Sequence, residues 1–126
     1  MISKLATDLA HRQIIVDLTI RTLERDRMHI GDFKMQKAFE TWFDLKVLEL
    51  HSDLKAVKAE LGKISAKIQA VTPNGDFTIY TVVEQRRTFD LRYLNISLKN
   101  WTENEVRRLL GLEHKSVKVE NKLRNS

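Results

Sequence analysis

The sequence predicts an α+β fold: a long antiparallel helical hairpin with coiled-coil-like patterning, then a two-stranded β-hairpin and a short C-terminal helix. Three observations predict it. Phe43, Val47, Leu50, Leu54, Val57, Leu61, Ile64, Ile68 and Val71 recur at alternating steps of four and three, the spacing that lays one apolar seam along a helix. Gly31-Asp32 offers a helix stop followed by a helix start. Thr72-Pro73-Asn74-Gly75-Asp76 is the one sharp break in composition, and alternating β-branched and aromatic residues follow it.

The first helix is expected from about Ser3 to His29. Ile2, Leu9, Val16, Leu23 and Ile30 recur every seven residues, and Ser3 suits the N-cap. Gly31 fits the left-handed position that closes a helix and Asp32 the cap of the next, so the two helices should fold back across a tight turn.

The second helix is expected from about Phe33 to Val71. At about 1.5 Å per residue it would approach 60 Å and outrun the first helix by about ten residues. Glu60 to Val71 would then need a cover, either from the downstream chain or from another copy. This mismatch is the argument for a homo-oligomer, a dimer or larger, built on the seam. Leu at heptad position a with β-branched residues at d leans toward three or four helices. The face opposite the seam carries the small residues Ser52, Ala56, Ala59, Gly62, Ala66 and Ala70. Phe39, Trp42 and Phe43 form an i, i+3, i+4 cluster, read first as core and second as an exposed hot spot for a partner.

Past the turn, Phe77 to Val83 places Phe77, Ile79, Thr81 and Val83 on one face of a strand. Phe89, Leu91 and Tyr93 alternate likewise, and Leu94, Ile96 and Leu98 continue in the other phase, which suggests a bulge or bend near Tyr93 and Leu94. The two strands would be joined around Gln85-Arg86-Arg87. Thr102-x-x-Glu105 reads as a capping box for a short helix that ends at Gly111. The chain reads as one domain over 1–126, divided into the helical hairpin (1–71), the β-hairpin (72–100), the short helix (101–112) and a basic tail (113–126).

Of 126 residues, 31% are charged and 42% apolar, enough for one core. There is no cysteine. This excludes a disulfide framework and a thiol nucleophile, and it suits a reducing cytoplasm. No apolar run reaches the length of a membrane span and no signal peptide is apparent, so no membrane contact is expected. The four histidines are scattered without metal-ligand spacing. No phosphate-binding glycine motif and no nucleophile elbow occurs. No catalytic residue, cofactor or metal is assigned, and the reading is non-enzymatic.

The net charge of +5 is uneven. From Arg107 to Ser126, six cations (Arg107, Arg108, Lys115, Lys118, Lys122 and Arg124) face two acids, Glu113 and Glu120. Arg86 and Arg87 at the hairpin tip, with Arg92 on the second strand, form another basic group. Two functions follow. One is a cytoplasmic interaction or regulatory protein that self-associates through the seam. The other is a DNA- or RNA-binding regulator, or the partner of an acidic protein, that uses these basic residues; Glu105 to Leu123 overlays weakly on a helix-turn-helix.

Overall fold

The computed structural model describes residues 3–115. Six elements follow in chain order: α1 (Lys4–Arg27), α2 (Gln36–Lys63), β1 (Ala66–Asn74), β2 (Phe77–Glu84), β3 (Arg87–Leu94) and α3 (Asn95–Leu109). The fold is α+β, with two long helices, a three-stranded antiparallel sheet of order β1-β2-β3 and a C-terminal helix.

Ser3 caps α1 as its sequence position suggests, its hydroxyl accepting from the Ala6 N–H at 3.0 Å. The Ser3 N–H and hydroxyl also donate to Glu84, which ties the start of α1 to the end of β2. Ala6, Ala10, Ile14, Val16, Ile20 and Leu23 form the buried side of α1. The link to α2 is longer than the tight turn expected. Gly31 does not adopt a left-handed conformation; α1 ends at Met28, whose N–H bonds back to Arg25, and 28–35 form successive turns. Asp32 does not cap α2 either, because α2 starts at Gln36 and Met35 holds the cap position without a side-chain bond.

The principal correction concerns Ile64, Ile68 and Val71. α2 stops at Lys63, and Ile64 is its C-cap. Ser65 turns the backbone at φ +55°, and 66–74 run back as a third strand that the sequence reading missed. β1 pairs with β2 from Ala66↔Glu84 to Asn74↔Phe77, with a bulge between Ile68 and Ala70. The bulge adds one residue and so places Ile68 and Val71, three apart, on the same face of the sheet. A spacing of three is also helical, and this is why the seam ran on unbroken through a strand. The overhanging end of α2 on which the oligomer argument rested does not exist.

β2 and β3 pair from Phe77↔Leu94 to Glu84↔Arg87, closed by the two-residue turn Gln85-Arg86 with φ of +49° and +71°. Both values suit the tight turn that matches strand twist, a geometry usually built from Asn and Gly. Phe77, Ile79, Thr81 and Val83 do share one face, which is half-buried, while Tyr80 and Val82 point the other way into the core. Of the bulge or bend expected near Leu94, the chain makes no bulge but leaves the strand there: β3 ends, and Asn95 starts α3 and donates to Gly75 and Asp76 in the β1–β2 turn. Thr102 and Glu105 are therefore inside a helix and form no capping box. The Thr102 hydroxyl donates to the Leu98 carbonyl one turn back.

Three buried clusters hold these elements together. Val16, Ile20 and Leu23 of α1 meet Leu50 of α2 and Leu109 of α3. Ile14 and Ile15 meet Tyr80 of β2 and Leu98 of α3. Ala6 meets Leu61 and Ala66 where α2 gives way to β1. Among the described residues no helix is long and apolar enough to cross a membrane.

Candidate interaction site at the hairpin tip

The first six seam residues are covered within the chain. Leu50 and Leu61 are fully buried, Phe43, Val47 and Leu54 pack on the central cluster, and Val57 on the cluster around Ala6. The seam is the inner face of the α1–α2 hairpin.

The open apolar surface lies at the end of that hairpin. The C-terminal ends of α1 and α3 meet the N-terminal turns of α2 around a groove of about 610 Å³. Leu23 comes from α1, Ile30 and Phe33 from the link, Phe39, Trp42 and Phe43 from α2, and Val106 and Leu110 from α3. Asp26 and His29 are its polar groups. Phe33 and Phe39 meet edge to face at 5.2 Å, and Trp42 and Phe43 do so at 5.3 Å, the favoured geometry for aromatic pairs. Phe33, Phe39 and Leu110 remain exposed in the groove, and Met28 and Met35 stand exposed beside it in sequence. Two other clefts, of about 690 and 720 Å³, carry more polar walls. In one of them the lining polar groups bond to each other: Asn104 exchanges two hydrogen bonds with the backbone of Lys115, and Arg107 donates to the Glu113 carbonyl.

A buried polar network links the three helices. Glu105, 1% exposed, lies 2.7 Å from Arg108 and 3.1 Å from Arg12, which also reaches Asp53 at 3.5 Å. Burial pushes the Glu105 carboxyl up, but the Arg108 hydrogen bond and the Arg12 guanidinium outweigh it and hold the group below the usual carboxylate range. Beside this network, His11 Nδ1 lies 3.0 Å from the Tyr93 hydroxyl, and the Trp101 ring meets the imidazole edge to face. Burial pushes His11 down, despite the nearby Asp8 carboxylate, and pushes the Tyr93 hydroxyl up. These groups fasten α1 to α3 and β3, although one Glu105 oxygen lacks a well-directed hydrogen bond. Among the described residues no group of three or more acids and histidines could hold a metal ion.

The basic residues singled out in the sequence lie apart. Arg86 and Arg87 sit at the β2–β3 turn. The Arg92 guanidinium carbon lies over the Phe77 ring toward the other end of the sheet, 3.9 Å from the ring centre. Arg107 and Arg108 lie at the end of α3 and are bonded to Glu113 and Glu105. Lys115 is held by Asn104, while Lys118, Lys122 and Arg124 lie outside the described residues. Gly111, at φ +76°, closes α3 as the sequence suggests, and 112–115 are not helical. The sequence did mark Phe39, Trp42 and Phe43. It gave no sign that Val106 and Leu110, more than sixty residues away, complete the same groove.

No curated protein and no solved structure matches the chain. The model of one family, described as YhjD protein, matches residues 1–114, from α1 through α3. On that match the chain belongs to the YhjD protein family.

Proposed function

We propose that this protein is a non-enzymatic interaction protein, working in the cytoplasm, that self-associates through the hairpin tip. The observation that carries the reading is the exposed apolar groove with two methionines beside it. Met28, Phe33, Met35, Phe39 and Leu110 are between 44% and 82% exposed. For side chains of roughly 200 Å², these five leave roughly 590 Å² in water, about half of it in the groove itself, at the upper end of what monomers show. A standard interface covers about 800 Å² per partner, about 60% of it apolar, so the patch is the right size for one.

The occupant that fits is a second copy of the chain. A two-fold contact needs a surface that complements itself, and here two exposed methionines adjoin in sequence the residues that line a hollow. Met28 and Met35 of one copy would enter the groove of the other, and the unbranched thioether suits such an irregular hollow. Phe39→Glu tests this, because it places a charge in the groove while leaving the seam intact. Light scattering should show the native assembly at a multiple of the 14.8 kDa chain mass and the variant at half of the native value or less. A native chain that is monomeric at about 1 mM, where even a 4 kcal/mol association registers, would overturn the reading. So would an unchanged mass for the variant.

A further inference from the structure

The sheet has two edges, and they differ. β1 carries a bulge near Gln69 and Pro73 near its end, two features that spoil an edge for further pairing. β3 runs eight residues without a bulge, proline or glycine. Its solvent-side face carries Asp90 and Arg92, two residues apart, and among the described residues neither has an ion-pair partner. Asp90 accepts a hydrogen bond from Thr81, and the Arg92 guanidinium carbon lies over the Phe77 ring, 3.9 Å from its centre.

We propose that β3 pairs antiparallel with β3 of a second copy about a two-fold axis at Leu91, joining two three-stranded sheets into one of six strands. The charges select the register. Because side chains alternate between faces, only even shifts keep Leu91 and Tyr93 on the core side. With the axis at Leu91, Asp90 faces Arg92 of the other copy twice over, and Phe89 faces Tyr93. Moving the axis by one residue either way sets Asp90 against Asp90 or Arg92 against Arg92, which is destabilising. Phe89 also gains cover, since it is only partly buried and belongs to none of the three buried clusters. This contact is separate from the hairpin tip, and two different two-fold contacts in one chain build a tetramer or an open array instead of stopping at a dimer.

The test is made in full-length Phe39→Glu protein, so that the tip does not contribute. This chain should weigh twice 14.8 kDa. Adding Arg92→Asp should raise the dissociation constant about tenfold or more, since like charges would then face each other twice. Adding Asp90→Arg to that variant should restore the dimer by exchanging the charges, a recovery that a folding defect would not show. The native chain has no cysteine, so mixing Asp90→Cys and Arg92→Cys chains under mild oxidation should give a mixed cross-linked dimer, because directly opposed residues lie about 5 Å apart. A monomeric Phe39→Glu chain, an unchanged mass with Arg92→Asp, or no mixed cross-link would overturn the proposal. If the tip reading alone fails, the native chain is a dimer that Phe39→Glu leaves intact and Arg92→Asp dissociates.

Discussion

Leu50 and Leu61 lie on the same helix as Phe39, yet the first two are fully buried within the chain and the third lines an open groove. The difference is set by what stands opposite. α1 covers α2 along the seam, whereas at the tip α1 has ended and the chain is turning back. Apolar periodicity states that a side chain will be covered. It does not state by which chain, and on this one helix the seam is covered within the chain while Phe39 is not.

The comparison breaks most visibly if charges are placed on each side in turn. Leu50→Asp buries an unpaired carboxylate among Val16, Ile20 and Leu23, and should cost about 4 kcal/mol or more in urea unfolding. Phe39→Glu should cost under about 1 kcal/mol, because the Phe39 site is open to water. Equal losses would show that the tip is core after all.

The buried ion network should come next. Arg12→Ala leaves Glu105 enclosed with one oxygen that already lacks a well-directed hydrogen bond, and should cost about 3 kcal/mol. Glu105→Gln should cost less, since the guanidinium groups of Arg12 and Arg108 are partly exposed and can recover water. Thermal unfolding of both variants checks the order.

The same network sets a dependence on pH. The folded pKa of Glu105 lies below its unfolded value, so its contribution is complete above the unfolded carboxylate range and is lost as pH falls through the folded value. The folded pKa of His11 is also lowered. Below about pH 6.5 the unfolded imidazole takes a proton that the folded one resists, so stability should begin to fall there. His11→Gln should remove that first decline and leave the second. An unchanged profile would mean that His11 is not held neutral.

The smallest effect should lie where β1 begins. Ser65 adopts φ +55° without being glycine. Ser65→Gly should stabilise the fold by up to about 1 kcal/mol if the strain relieved exceeds the entropy cost of glycine.

Much of this architecture was legible in the residues. Ser3 marked the start of α1, the Leu-rich part of the seam marked α2, and Gln85-Arg86 marked the β2–β3 turn. The strand at 66–74 was hidden because its bulge reproduces a helical spacing and because Ser65, in place of Gly or Pro, makes the break. One signal was present: the seam changes from leucine at 50, 54 and 61 to β-branched residues at 64, 68 and 71. The capping-box pattern at Thr102 and Glu105 misled for a different reason. The same two side chains serve a helix that starts seven residues earlier, one bonded to the preceding turn and the other to two arginines. The groove was half legible, since three of its aromatic residues are neighbours in sequence and its α3 wall is not.

The self-association claim is tested most directly by recording backbone amide shifts by NMR while the protein is diluted. The account predicts concentration-dependent shifts at 28–43 and 106–110, where the α1–α2 link meets the end of α3, with a second, separate set along 87–94. Shifts confined to the outer face of α2 between Leu45 and Ala59, or none at the tip at any concentration, would contradict it.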